Sequence, residues 1–400
     1  MQTWEEGCVI AIWGTGFWGK RMYYRCRNNY QIKCFIDNYK RIDRLYTVPV
    51  VKASELRKIE CKILIAVHEY YSICEQCQCE GKEFYKDYLP YIFFEYQQIP
   101  IVLLYDLVKS EVKKYYSILL QNKRPALIIG NCQTSIIKSC MLGSRRFEKE
   151  YVFIDIPLVH MLTEHDIDVL QKCKFIFKES SLIITQHISD KAGKILSTDK
   201  ILEMKGKRSK IVYIPKLWFD LYYPQTIHQY RKAEIAQGIY AFPYGDFVID
   251  ELIQKYDEKD TVKIIKNTNI FTKKFLNDLY NYRIANIEER EKKCDIRMLD
   301  YIVENWKKEL LFFSKDHPNN HVLFEEARRL LAYLGFDDFD SEKVEVEELN
   351  QYQEVIYPCV KKAYDLKFKH DYYKDISFEG KKSLDEYVKE YVSYIHSTQF

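Results

Sequence analysis

No stripe of one charge sign marks this sequence: 61 Lys and Arg stand against 58 Asp and Glu, a formal net charge of +3, with both signs dispersed along the chain. A nucleic-acid-binding surface gathers basic residues on one face, so no nucleic-acid partner is expected. The start, Met1-Gln-Thr-Trp-Glu-Glu, lacks the basic segment of a signal peptide and runs straight into a strand-like stretch, so the expected location is the cytoplasm. No apolar run is clean enough for a bilayer. The most apolar stretch, Leu89 to Val108, is broken by Glu95, Gln97, Gln98, Pro100 and Asp106, and no transmembrane span is expected. No second Cys/His pair follows Cys74, Cys77 and Cys79, and a helix would spread these three thiols around its surface, so no metal is expected. The 12 cysteines, with no export signal, read as reduced thiols. Internal repeats and low-complexity segments are also missing, although 34 tyrosines make the chain rich in aromatics.

What is present is length and rhythm. At 400 residues the chain exceeds one ordinary core, which predicts two α/β domains and a helical appendage. Apolar runs at Cys8 to Trp13, Ile32 to Ile36 and Ile63 to Val67 alternate with amphipathic stretches at Lys20 to Asn28 and Tyr71 to Gln78, the βαβ rhythm of a parallel sheet. A helix is expected over Tyr105 to Gln121. A boundary then falls near Lys123, before a new strand, Ala126 to Ile129. The second unit predicts strands at Tyr151 to Ile156, Phe175 to Phe177, Leu182 to Thr185, Ile211 to Ile214 and, last, Leu310 to Phe313, and turns mostly helical from about Asp246. Its helix His321 to Leu334 should end at Gly335, a C-cap glycine. The expected domains are therefore 1–122, Rossmann-like and nucleotide-binding; 123–340, a second α/β domain with a helical C-terminal part; and 341–400, a helical appendage that opens on the acidic run Ser341 to Leu349 and holds helices over about 357–368 and 382–395.

Two strand-to-helix turns carry chemistry. The first, Gly14-Thr-Gly16-Phe-Trp-Gly19 after Val9 to Trp13, fits a dinucleotide-type turn: Gly14 for the tight bend, Gly16 for close approach of a pyrophosphate, Gly19 for packing of helix on sheet. Asp37, at the end of the second strand, is placed to hold a ribose hydroxyl. NAD(P) or a nucleotide-sugar is the candidate ligand, and the competing reading is a tight corner without one. Tyr105 and Lys109 form a Tyr-x-x-x-Lys pair that a chain so rich in both residues produces by chance.

The second turn, Leu127-Ile-Ile-Gly130-Asn131-Cys132-Gln133, puts a thiol at a helix start, where the dipole and free N–H groups are expected to draw its pKa down from about 8.5 toward neutrality. Asn131 and Gln133 are candidate donors to an oxyanion or a substrate carbonyl. The competing reading is a small cysteine that fills the corner. A base for Cys132 is offered by Asp316-His317-Pro318, on the argument that the loop after Leu310 to Phe313 converges on the same sheet edge; Asp295 or Asp300 would orient His317. Gln186 and His187, after the strand Leu182 to Thr185, add hydrogen bonds or a rival base.

At these residues the chain resembles the WcbI family of capsular polysaccharide biosynthesis proteins, from about Arg124 to Gly335. The landmarks are Gly130-Asn-Cys-Gln133, the strand ending at Gln186, Ile214-Pro-Lys-Leu-Trp-Phe-Asp-Leu-Tyr-Tyr-Pro224, Tyr244-Gly-Asp246 and His317-Pro318. The resemblance implies a bacterial protein that binds coenzyme A or acetyl-coenzyme A at Gly130, Asn131, Gln133 and Gln186 and acts as an acetyltransferase on a sugar hydroxyl of capsule. Cys132 and His317 are then catalytic. Implied partners are acyl-coenzyme A, a sugar or polysaccharide precursor, and membrane-bound polysaccharide assembly machinery. Residues 1–100 resemble the small Rossmann modules fused to bacterial surface-sugar enzymes, through Trp13-Gly-Thr-Gly16, Phe35-Ile-Asp-Asn38 and Tyr85-Lys-Asp-Tyr88. Three alternatives stay open: an NAD(P)- or nucleotide-sugar-dependent enzyme working at the first turn, a non-catalytic binding module of an assembly complex, and a hydrolase that uses Cys132 on an ester.

Overall fold

A computed structural model of the chain describes residues 4–39, 42–95, 98–227, 242, 244–340, 348–374 and 380–398. The protein is α/β, and its chain passes back and forth between two compact units. The first comprises Met1–Ile129, Lys149–Ile184 and Ile188–Ile211; the second comprises Gly130–Glu148, Thr185–His187 and Val212–Phe400.

The first unit is built on parallel sheets. Strands β1 (Val9–Trp13), β2 (Gln31–Asp37), β3 (Arg44–Leu45), β4 (Val48–Lys52), β5 (Lys62–Ile65) and β6 (Tyr88–Pro90) form a six-stranded sheet in the order β3-β4-β2-β1-β5-β6. Every pairing is parallel except β3 with β4. The inner strands β1 and β5 are continuous apolar runs with three or four fully buried residues, as parallel strands covered on both faces require. Strand order reverses beside β1, which places the first glycine turn at a switch point, where α/β sheets open a crevice. A second sheet runs β11-β10-β8-β9-β7, from β7 (Gln98–Pro100), β8 (Arg124–Ile129), β9 (Tyr151–Asp155), β10 (Leu182–Thr185) and β11 (Lys210–Tyr213). Its edge strand β7 comes from before residue 123 and pairs in parallel with β9.

The second unit is mostly helical, with its own core. Leu217, Phe219, Ile249 and Trp306 share one cluster with Tyr352, Tyr357, Val360, Tyr387 and Tyr391, so the described segments beyond 347 contribute to this core. At its centre lies Asp246, 1% exposed, which caps the helix Phe247–Leu252 by accepting from the N–H groups of Val248 and Ile249, both at 3.1 Å. Its other carboxylate oxygen accepts from Tyr357 (2.7 Å) and Tyr387 (3.2 Å), while Tyr391 accepts from the Asp246 N–H.

The structure departs from the expectations above at three elements. Phe175 to Phe177 belongs to a helix, Phe175–Glu179; a three-residue apolar run has no period with which to separate strand from helix. The expected helix over Tyr105 to Gln121 is two helices, Ile101–Val108 and Val112–Leu120, broken at Lys109, whose φ is +24°. The final strand is Phe312–Ser314, which pairs with His317–Pro318 in an antiparallel hairpin and is no member of the parallel sheet. Gly335 does end the helix Asn320–Leu334 in the left-handed region, φ +92°. The acidic run lies at 341–347 outside the described residues, apart from its last two positions. Among the described residues no helix is long and apolar enough to cross a membrane.

Candidate functional site

At the first turn the three glycines separate by physical cause. Gly14 has φ +120°, and a Cβ there would lie 2.6 Å from the Ala66 carbonyl oxygen; at Gly19 it would lie 2.0 Å from that of Gly14. The fold needs both. Gly16, at φ −78° and ψ −159°, has ordinary extended geometry, and an added Cβ would meet nothing within 4 Å. Asp37, at the end of β2, accepts from the Thr15 hydroxyl (2.6 Å) and from the Tyr39 N–H (2.9 Å), which ties the turn to the second strand.

At the second turn, β8 ends and Gly130 admits the Gln186 side chain, which a Cβ would meet at 2.6 Å. Gln186 Oε1 accepts from the Asn131 N–H, and its Nε2 donates to Asn131 Oδ1 and Gln133 Oε1. Gln133, fully buried, has all four of its amide positions engaged: Nε2 donates to the carbonyls of Leu217 (2.9 Å) and Asp316 (2.8 Å), and Oε1 accepts from the Leu217 N–H and from Gln186. It therefore acts as a clamp that joins the helix start, the 217 segment and the 316 loop. Asn131 is engaged through Oδ1, and among the described residues its two amide hydrogens have no acceptor. Truncating Gln133 to alanine would leave several buried polar groups unpaired, and chemical denaturation should report a loss of about 2–4 kcal/mol.

Cys132 is the N-cap of the helix Gln133–Met141 and is half-buried. Its thiol is pushed up to about 11, chiefly by burial and then by the Asp316 charge; the helix-start N–H groups and Lys216 pull the other way and lose. This overturns the expectation of a depressed pKa, because desolvation outweighs the helix dipole. His317 sits on the loop that Gln133 holds, its imidazole pushed below its usual pKa by burial, against the Asp316 charge. Its Nδ1 is buried and, among the described residues, has no hydrogen-bond partner. The two expected orienting acids are engaged elsewhere: Asp300 with Arg329 (2.6 and 2.9 Å), Asp295 with the Tyr213 N–H (2.7 Å) and the Tyr333 hydroxyl (3.2 Å). The loop reaches Gln133 by its hairpin, not by a shared parallel edge.

Three features of the loop had no signal in the sequence. Asp316 accepts from the hydroxyls of Tyr244 (2.7 Å) and Ser314 (3.1 Å). Lys315, 2% exposed, lies 4.2 Å from the Tyr244 ring centroid and 5.5 Å from that of Trp218, and burial pushes its pKa down. Packed against the loop, Glu354, buried and pushed upward by desolvation, accepts from the Thr226 hydroxyl and donates its N–H to the Phe313 carbonyl. His187, the rival base, stacks on Tyr213 at 4.4 Å and donates Nε2–H to the Lys293 carbonyl at 2.8 Å.

The model of the family described as polysaccharide biosynthesis enzyme WcbI matches residues 125–338. A solved structure of WcbI, described as a novel polysaccharide biosynthesis enzyme and as the native protein without a disulfide bond between coenzyme A and one of its own cysteines, is similar in fold. The TM-score is 0.60 at 16% identity, over 69% of this chain and 91% of that one. No curated protein matches the chain.

Proposed function

This chain belongs to the WcbI family of polysaccharide biosynthesis enzymes, and from that premise we propose that it is an acyltransferase that carries an acyl group, acetyl in the simplest case, from coenzyme A to a sugar hydroxyl of a capsule precursor. The observation that carries the reading is His317 Nδ1, a buried nitrogen that has no partner among the described residues, on the loop clamped to the Cys132 turn. Buried polar atoms are almost always satisfied, so an orphan of this kind suits a group that completes its hydrogen bonding with substrate.

When bound, acyl-coenzyme A supplies a thioester carbonyl at this turn, and the free amide of Asn131 is the donor suited to its oxygen. His317, kept neutral by burial, takes the proton of the attacking hydroxyl. As the acyl–oxygen bond forms and the acyl–sulfur bond breaks, the same imidazole returns the proton to the departing thiolate. Cys132, with its thiol pushed up to about 11, keeps its own proton at neutral pH. It becomes a nucleophile in a two-step route only if His317 removes that proton first. Gly130, Gln133 and Gln186 serve as the scaffold of the turn. The work is cytoplasmic in this reading, on precursors that membrane-bound assembly machinery would use. The test is ligand-dependent stabilisation of the whole chain: at a hundred times its dissociation constant, coenzyme A should add about 2.7 kcal/mol. Release of free thiol from acetyl-coenzyme A should then require a sugar acceptor. No stabilisation by either form of the coenzyme would sink the proposal.

Gly16 favours a second, separate reading, a nucleotide at the first turn. Fold geometry requires Gly14 and Gly19, whereas position 16 needs only a helix N-cap, which serine or aspartate fills as well; close approach of a phosphate is what singles out glycine there. Gly16→Val, a poorer helix N-cap, should cost no more than about 1 kcal/mol of stability and abolish any stabilisation by NAD(P) or a nucleotide-sugar. Gly19→Ala should destabilise the first unit by at least about 1–3 kcal/mol, because its Cβ meets backbone. Equal nucleotide binding by wild type and Gly16→Val would remove this reading.

A further inference from the structure

The second unit holds a cavity of about 230 Å³ whose wall includes His187, Lys216, Trp218, Arg290, Lys293 and Cys294. It adjoins the Cys132 turn through one short segment. Leu217, also in its wall, is the residue whose N–H and carbonyl Gln133 clamps, and the Lys216 charge is felt at the Cys132 thiol.

Its charges are unbalanced. Among the described residues Lys216, Arg290 and Lys293 have no carboxylate within ion-pair distance; Arg290 donates to the Lys216 carbonyl at 3.2 Å, which holds the guanidinium at the wall. The two acids of the wall are engaged. Glu289 pairs with Lys292 at 2.6 Å, and buried Glu291 accepts from the N–H groups of Met298 (2.8 Å) and Leu299 (3.2 Å). The cavity is therefore a cationic site, and its donors are ready for a carboxylate or a phosphate.

The remaining groups fit a carbohydrate. Trp218, whose ring centroid lies 6.0 Å from the Lys216 ammonium and 5.5 Å from that of Lys315, gives the wall aromatic surface. The Lys293 carbonyl can only accept, so His187 carries its proton on Nε2 and, when neutral, presents Nδ1 as an acceptor for a sugar hydroxyl. The volume is below the roughly 300–1,000 Å³ of sites for drug-sized ligands and suits a single sugar ring. We propose that this cavity holds one sugar residue of the acceptor and that this residue is anionic, a uronic acid or a phosphorylated sugar. The inference rests on the acyl-transfer reading above, since it places the acceptor one clamped segment, that of Leu217, from the Cys132 turn.

The test is calorimetric titration of the full chain with methyl glucuronoside, glucose 6-phosphate and neutral methyl glucoside, each with and without coenzyme A. At least one anionic sugar should bind about tenfold or more tighter than the glucoside, consistent with two or three exposed charge contacts; the one that does identifies carboxylate or phosphate. In Arg290→Ala/Lys293→Ala the preference should collapse to within about twofold, with the unfolding midpoint and coenzyme A affinity unchanged, because both side chains are exposed. Equal binding of charged and neutral sugars, or no binding of any, overturns the inference. So does competition between coenzyme A and the glucuronoside together with loss of coenzyme A affinity in the double variant, which would give the cavity to the coenzyme's phosphates and leave acyl transfer standing. Binding of the glucuronoside with no binding of coenzyme A would leave the cavity's assignment to an anionic sugar intact and overturn the acyl-transfer reading.

Discussion

His317→Gln is expected to slow acyl transfer by about a hundred- to ten-thousandfold while coenzyme A binds as before, because glutamine fills similar space and forms hydrogen bonds but cannot take a proton. The wild-type rate should also carry an acidic limb. Burial depresses the imidazole below its usual value, so His317 is neutral, and competent, at pH values above that depressed pKa; the rate should rise with pH through a midpoint below about 6.5 and then level off. The glutamine variant should lose this limb. A residual rate within tenfold of wild type, with the limb intact, would move the base elsewhere, first to His187. Cys132 then separates the two routes. If Cys132→Ser falls as far as His317→Gln, the cysteine carries the acyl group; if it stays within about tenfold, the sugar attacks directly.

Asp246→Ala is expected to remove about 3–5 kcal/mol of stability, since it deletes a helix cap and leaves the buried hydroxyls of Tyr357 and Tyr387 without their acceptor. Asp246→Asn isolates the charge. Burial holds this carboxyl up to about 7, against hydrogen bonds that pull it down, so between the ordinary carboxylate range near 4 and pH 7 the folded state binds a proton that the unfolded chain has released. Folding stability from this group is therefore full below pH 4 and is lost as pH rises to 7, by up to about 1.4 kcal/mol per pH unit. His370, buried and pushed down to about 4, acts in the opposite sense below pH 6.5, so the informative quantity is wild type minus Asn. Urea titrations at pH 5 to 8 should show that difference shifting in favour of the variant as pH rises. A difference constant with pH would mean that Asp246 is ionised throughout.

Where the sequence was legible, the signal was local. A strand that breaks at glycine and enters a helix is written in consecutive residues, so β1 with Gly14, β8 with Gly130 and the stop at Gly335 could be read directly. The Phe175 run failed because three apolar residues hold no period. The site was only half legible for a different reason. Cys132 and His317 could be named by type, but the thiol's raised pKa comes from burial that distant segments supply, and the clamp at Gln133 joins residues 84 and 183 positions away. The cavity's basic wall likewise draws on residues 187, 216 to 218 and 290 to 294, with no common motif. The tail read as an appendage because its tyrosines declare no partner in sequence; packing gives them one in Asp246.

That packing bears on how such a gene can be rearranged. The stretch shared with the family, 125–338, is a unit of descent, yet it is not a transplantable part. Cut at those limits, it would lose β7, the neighbour of β9, and with residues beyond 347 it would lose the hydroxyls that satisfy a buried acid. Shuffling that copies the homologous text alone would deliver a bare sheet edge and a carboxylate with one oxygen left without its two hydroxyl donors. A recombinant lineage therefore has to inherit the flanks together with the motif, or rebuild both.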